Sequence, residues 1–118
     1  MLPDAPQITL WATAFALAQL VKAPLYVRGL PLTRCRRFVV ALLATAFTHP
    51  IVWFVLPEPL VGLLGYWGYV LAGACFAIAV ESGWFALHRV AIGRAASLAL
   101  AANGLSLLTW YAIGPLIA

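Results

Sequence analysis

Polar side chains interrupt the apolar stretches of this sequence at a few positions that could do chemistry. These positions are Thr45, Thr48, His49, Pro50, Glu81, Asn103 and Ser106. An imidazole and a carboxylate can relay protons or bind a ligand, whereas amides and hydroxyls can hydrogen-bond to a ligand or join helices. The central motif is Thr48-His49-Pro50, because a histidine and a proline inside an apolar run need an explanation. We predict that all seven residues form one internal polar cluster.

The spacing of these residues does not match a known catalytic or metal-binding pattern. The sequence has no second intramembrane acid near Glu81, no pair of cysteines at metal-ligand spacing and no Gly-rich phosphate loop. We therefore predict no catalytic residue, no metal ligand and no cofactor. An intramembrane enzyme with His49 as its base is the least favoured of the functional alternatives.

The composition indicates that lipid, rather than water, surrounds the folded chain. Of the 118 residues, 65% are hydrophobic and 8% are charged, and the mean hydropathy is +1.03. An ordinary soluble domain is about half apolar and about a quarter charged. The net charge of +4 could indicate nucleic-acid binding in a soluble protein. Here the basic residues cluster at the ends of apolar stretches, so we expect them to set membrane orientation and expect no nucleic-acid partner.

Four apolar stretches are long enough to cross a bilayer, which takes roughly 20 residues. They are residues 8–27, 38–56, 63–87 and 95–117. The short connections between them predict an all-α, four-helix up-down bundle forming a single transmembrane domain over residues 1–118. Pro24 predicts a kink or an early end of the first helix, and Pro50 a kink of the second. Pro57-Glu58-Pro59 is expected to be a loop.

Basic residues predict the orientation of this bundle. The six arginines fall in segments 28–37 and 88–94, and Lys22 lies near the end of the first apolar stretch, whereas segment 57–59 and the residues before Ile8 contain no basic residue. Short Arg-rich and Lys-rich loops stay in the cytoplasm. Both termini are therefore expected on the outer, periplasmic side.

Depth along each helix divides the polar residues into two layers. At about 1.5 Å of rise per residue, Thr45, Glu81 and Asn103 share one layer, and His49 and Ser106 lie nearer the outer side. Lys22 falls close to the Glu81 layer. We expect its ammonium group to extend to the inner surface, with an ion pair to Glu81 as the alternative. Glu81 is then either neutral or ionised beside Lys22, and His49 neutral. The choice between helix packing and a direct functional role stays open for His49 and Glu81.

The motif Thr48-His49-Pro50, followed by Glu81 and then by Asn103 and Ser106, resembles small uncharacterised bacterial inner-membrane proteins with four helices and a Thr-His-Pro motif in the second helix. The resemblance extends over most of the chain. It implies a bacterial inner membrane and adds no activity.

Three observations favour a non-enzymatic accessory subunit or scaffold of a larger membrane complex. The chain leaves little mass outside the apolar stretches, offers many small-residue faces for helix packing and lacks a complete catalytic set. The expected partners are the lipid bilayer and either another membrane protein or further copies of this chain. The alternative is a small oligomeric transporter or proton-linked channel with His49 and Glu81 on its path.

Overall fold

The computed structural model describes residues 3–117, and within that range every regular element is helical. The elements are α1 (Ala5–Gly29), α2 (Arg34–Pro50), a π-helical turn (Ile51–Val55), α3 (Pro57–Leu87) and α4 (Ile92–Ile117). With the π-helical turn counted as part of α2, these are four helices long and apolar enough to cross a membrane. The all-α prediction is confirmed. The predicted domain, residues 1–118, also includes Met1, Leu2 and Ala118, which lie outside the described residues.

The four helices pack as a ring in which each helix runs antiparallel to its neighbours. Each helix contacts the next in the chain, and α1 closes the ring against α4. At the α1–α2 interface, the Gln19 side chain donates to the Leu42 carbonyl and the Arg37 side chain donates to the Val27 carbonyl. As the residue number in α1 increases, that of its partner in α2 decreases, so the two helices are antiparallel. Consequently α1 and α3 face each other across a diagonal of the bundle.

Small residues form the centre of the bundle, and large apolar residues cover its outside. Buried small residues include Ala14 and Ala18 of α1, Ala41 and Ala44 of α2, Gly73 and Ala77 of α3, and Ala95, Ala99 and Ala102 of α4. Such side chains let helix backbones approach closely. The exposed large side chains include Leu20, Leu63, Leu71, Leu87, Leu108 and Leu116. A water-soluble domain rarely exposes so much contiguous apolar surface.

The two helix-breaking prolines have different outcomes. Helix α1 continues through Pro24 to Gly29, so the predicted early end at Pro24 is wrong. After Pro50 the chain remains right-handed, but its hydrogen bonds widen into the π-helical turn, where the Leu56 amide donates to the Ile51 carbonyl at 3.0 Å. A proline has no amide hydrogen to donate to the carbonyl four residues earlier. A π-helical turn, with its wider hydrogen-bond spacing, is one way in which a helix accommodates this interruption.

The predicted loop at residues 57–59 is wrong, because α3 begins at Pro57. Proline is favoured in the first turn of a helix, where its missing amide hydrogen has no partner to lose. A break occurs later, at Gly65, whose φ of 72° and ψ of 177° are not helical. Only glycine adopts this conformation readily.

The two segments predicted to be cytoplasmic lie at the same end of the bundle. Six arginines belong to them, namely Arg28, Arg34, Arg36, Arg37, Arg89 and Arg94. The Arg36 guanidinium lies 3.2 Å from His88 Nδ1, which links the α1–α2 connection to the α3–α4 connection. The acidic residues Asp4 and Glu58 begin α1 and α3 at the opposite end.

Candidate functional site

A buried ion pair joins α1 to α3 in the middle of the bundle. The Lys22 ammonium donates to Glu81 Oε1, and the side chains are 4% and 0% exposed. Lys22 follows Ala14 and Ala18 at four-residue intervals on one face of α1. Glu81 follows Gly73 and Ala77 at the same interval on α3. Small residues therefore bring the two helices close enough for these side chains to meet.

Three other side chains complete the hydrogen bonds of the Glu81 carboxylate. The Tyr26 hydroxyl donates to Oε2 at 3.0 Å, and Asn103 Nδ2 donates to the same oxygen. The Thr45 hydroxyl lies 3.5 Å from Oε1, at the limit of hydrogen bonding. Thr48 is as far away, and its single hydroxyl proton goes to the Ala44 carbonyl at 3.1 Å.

The expectation that Lys22 extends to the membrane surface is wrong. Lys22 is 3% exposed and has two acceptors inside the bundle, Glu81 Oε1 and Asn103 Oδ1, the latter at 3.0 Å. An isolated charge is costly in hydrocarbon, and a paired, hydrogen-bonded one is much less so. The alternative, an ion pair between Lys22 and Glu81, is what the structure contains. We call Lys22, Tyr26, Thr45, Glu81 and Asn103 the core polar cluster.

His49 lies outside the core polar cluster, among aromatic rings. Its ring centroid is 5.4 Å from that of Phe15, 5.8 Å from that of Trp53 and 6.1 Å from that of Trp11. Its Nδ1 atom is buried and has no hydrogen-bond partner among residues 3–117. The prediction of one cluster holding both His49 and Glu81 therefore does not describe the arrangement.

A cavity of about 360 Å³ connects the core polar cluster with His49. It extends from the exposed Tyr66 and Tyr111, at the end of the bundle where α3 begins and α4 ends, to the buried Lys22. Its walls include Leu10, Leu17, His49, Val52, Trp53, Tyr69, Val70, Ala74, Ser106, Leu107 and Trp110, and its inner part includes Lys22, Thr48, Ala77 and Asn103. Glu81 is not among the lining residues.

The π-helical turn and the outer half of α4 supply the aromatic walls. Trp53 of the turn packs edge-on against Trp110 of α4, with ring centroids 5.8 Å apart. The hydroxyls of Tyr66 and Tyr111 are hydrogen-bonded at 2.8 Å beside the outer part of the cavity. The Tyr69 hydroxyl donates to the Val52 carbonyl at 2.8 Å and so fixes α3 against the turn. Pro50 contributes indirectly, since it precedes the turn that carries Val52 and Trp53.

The structure brings the predicted residues together in two groups. Thr45, Glu81 and Asn103 belong to the core polar cluster, and Thr48 touches both the cluster and the cavity. His49 and Ser106 line the cavity nearer its outer end, as their common depth layer suggested. The sequence analysis did not include Tyr26 in the polar cluster, whereas Tyr26 is 0% exposed and its hydroxyl donates to Glu81. The signal for its burial was its position four residues after Lys22, on the Ala14–Ala18 face.

No group of three or more metal-ligating side chains is present within residues 3–117. No protein-family model, no curated protein and no solved structure matches this chain. Function is therefore inferred from the cavity and from the core polar cluster.

Proposed function

We propose that this chain is an integral membrane protein of the bacterial inner membrane that crosses the bilayer four times. The apolar outer surface of the bundle and its four long helices support insertion. The arginines concentrated at one end support an orientation with that end in the cytoplasm and both termini outside. The bacterial assignment follows the resemblance of the Thr48-His49-Pro50 pattern.

Within this setting, we propose a non-enzymatic protein of the transporter class that binds a small solute inside the bundle. The cavity of about 360 Å³ is the observation that carries this proposal. Ligand sites are concave, mostly apolar and equipped with a few polar groups that orient the ligand. The cavity combines aromatic and aliphatic walls with Lys22, His49 and Ser106 at different depths.

The role of Glu81 differs from that in a simple proton path. Glu81 is 0% exposed and accepts hydrogen bonds from Lys22, Tyr26 and Asn103. Its carboxylate therefore holds the Lys22 ammonium in place, while Lys22 itself reaches the cavity. His49 belongs to the cavity wall, where it can contact a solute directly.

An accessory subunit is the second candidate. The connection between α1 and α2 and that between α3 and α4 are four residues each, at 30–33 and 88–91, so the described chain has almost no mass outside its helices. However, the small-residue faces that favoured a partner are buried in the bundle itself, as Ala99 and Ala102 are at 0% exposure. The cavity therefore favours solute binding over a scaffold role.

Two neighbouring positions on α3 allow a matched test of the proposal. Ala74 lines the cavity, whereas Cys75 is exposed on the outside of the bundle. Ala74→Phe should fill the cavity, and Cys75→Phe should add the same ring to the outer surface. Both variants and the wild type would be purified in mild detergent from native membranes, and small molecules released by organic solvent would be measured by mass spectrometry.

The proposal expects one compound enriched with the wild type and Cys75→Phe and lost with Ala74→Phe. Flux of that compound into proteoliposomes would then establish transport. No enrichment with the wild type, or equal enrichment with Ala74→Phe, would contradict solute binding in the cavity. A stoichiometric protein partner in the same preparation would favour the accessory subunit.

A further inference from the structure

We propose that the cavity selects solutes that combine an apolar body with one negatively charged group, and that Lys22 binds this group. The inference rests on the proposed function, because it names the class of solute that the cavity takes. Three observations support it: Lys22 lines the cavity and Glu81 does not, the Lys22 ammonium has one unused hydrogen-bond donor, and most of the cavity wall is apolar.

Lys22 has one hydrogen-bond donor left for a ligand. A lysine ammonium carries three N–H donors and no acceptor. Among residues 3–117, two donors are used, one by Glu81 Oε1 and one by Asn103 Oδ1. Lys22 also lines the cavity, and we infer that its third N–H, which has no acceptor among these residues, donates to a molecule bound there.

The other polar side chains at the inner end of the cavity, Asn103 and Thr48, already have hydrogen-bond partners within the protein. Asn103 Nδ2 donates to Glu81 and to the Ala99 carbonyl, and Asn103 Oδ1 accepts from Lys22. The Thr48 hydroxyl donates to the Ala44 carbonyl. Among the side chains at the inner end of the cavity, the Lys22 ammonium is therefore the group that keeps an unused hydrogen-bond donor.

A positively charged solute is the main alternative, since aromatic walls can attract cations. Such a solute would have to approach Lys22, the formal charge that lines the cavity, while the balancing carboxylate of Glu81 is buried and is not part of the lining. Like charges at short range in an environment of low dielectric constant repel strongly. A carboxylate or another monovalent anion would instead be attracted and would accept the free donor.

The walls require the rest of the solute to be apolar. Val52, Trp53, Val70, Leu107 and Trp110 line the cavity between its outer end and Lys22. Its volume of about 360 Å³ lies at the small end of the usual range of ligand pockets, about 300–1,000 Å³. A single aromatic ring or a short branched chain bearing one carboxylate fits both requirements.

Three probes that share one body and differ in charge test this inference. They are 3-phenylpropionate, the neutral 3-phenylpropionamide and the cationic 2-phenylethylammonium ion. Binding to the protein in lipid nanodiscs would be measured by calorimetry. The matched variant is Lys22→Met with Glu81→Leu, because removal of both charges leaves no unpaired charge in the bundle.

We expect the carboxylate to bind the wild type about 10-fold more tightly than the amide, and the ammonium ion to bind least. In the double variant the carboxylate and the amide should bind within about 2-fold of each other. Retained binding of the amide by the double variant would show that the cavity is intact.

The remaining outcomes separate the two proposals. Equal binding of the amide and the carboxylate by the wild type would overturn charge selection and leave solute binding standing. A carboxylate preference that persists in the double variant would overturn the role of Lys22. No binding of any of the three probes to the wild type would contradict the inference and, with it, solute binding of this class in the cavity.

Discussion

The Lys22 ammonium and the Glu81 carboxylate meet across the diagonal of the bundle and connect α1 to α3. Both side chains are buried, and Asn103 of α4 bonds to both of them. With Thr45 of α2 at 3.5 Å from Glu81 Oε1, all four helices contribute a side chain to the core polar cluster. Since it contains one positive and one negative charge, the cluster adds no net charge to the apolar interior.

Removing one charge of this pair should destabilise the protein more than removing both. Glu81→Leu leaves the Lys22 ammonium unpaired, which should lower the free energy of unfolding by about 3–5 kcal/mol. Lys22→Met combined with Glu81→Leu should recover part of that loss, because an apolar pair can replace a buried ion pair, although the Tyr26 hydroxyl still loses its acceptor. Denaturant unfolding in detergent micelles would measure both differences.

The matched control is Glu58→Leu, which removes an exposed carboxylate at the start of α3 and should leave stability nearly unchanged. A double variant as unstable as Glu81→Leu alone would show that the pair itself, rather than its charge balance, is required for folding.

Tyr26→Phe should destabilise the protein by removing only one hydrogen bond. The hydroxyl donates to the Glu81 carboxylate at 3.0 Å, and hydrogen bonds to charged groups contribute about 1.5–3 kcal/mol. Tyr66→Phe removes an exposed hydroxyl–hydroxyl bond and should cost less than about 1 kcal/mol. Unfolding of both variants in the same detergent is the measurement. Equal effects of the two substitutions would be inconsistent with a structural role for Tyr26 in the cluster.

Two glycines at the start of α3 should respond in opposite directions to alanine. Gly65 has a φ of 72°, so Gly65→Ala should cost about 1–3 kcal/mol from backbone strain alone, since its Cβ would meet no neighbouring atom. Gly62 is helical and equally uncrowded, so Gly62→Ala should leave stability unchanged or raise it by up to about 1 kcal/mol. Thermal unfolding of the pair would test this. A Gly65→Ala variant as stable as the wild type would contradict a break of α3 at Gly65.

Cys35 offers a native probe of orientation. It is exposed near the start of α2, beside Arg34, Arg36 and Arg37. If this end faces the cytoplasm, a membrane-impermeant maleimide should label Cys35 in a Cys75→Ala background only after the cells are permeabilised. Rapid labelling in intact cells would reverse the proposed topology.

Much of the helical architecture could be predicted from the sequence because it depends on local composition. Continuous apolar runs determine where helices lie, and all four predicted stretches fall within the observed helical segments apart from Leu56. The errors occur at prolines. Helix α1 continues through Pro24, and Pro57 stands in the first turn of α3, where its missing amide hydrogen has no partner to lose.

The candidate site was less predictable, because it depends on the rotation of each helix about its own axis. Depth alone grouped Thr45, Glu81 and Asn103 correctly and brought Lys22 near them. It could not show that Lys22 turns inward towards Glu81, nor that His49 turns towards Trp11 and Phe15. The inward direction of Lys22 could have been inferred from its four-residue spacing with Ala14, Ala18 and Tyr26, which are buried on one face of α1. This spacing is a stronger indication than the usual tendency of lysine to reach the membrane surface.

If the cavity binds solutes, reagents dissolved in water should reach the inside of the bundle. In a Cys35→Ala and Cys75→Ala background, Ser106→Cys lies in the cavity wall, and Leu108→Cys lies on the outer surface of the same helix. The reagent is the anionic 2-sulfonatoethyl methanethiosulfonate, applied to membranes and followed by mass spectrometry. We predict rapid modification of Ser106→Cys, slowed by 3-phenylpropionate, and little modification of Leu108→Cys. Reaction of Ser106→Cys no faster than that of Leu108→Cys would contradict a solute-accessible cavity.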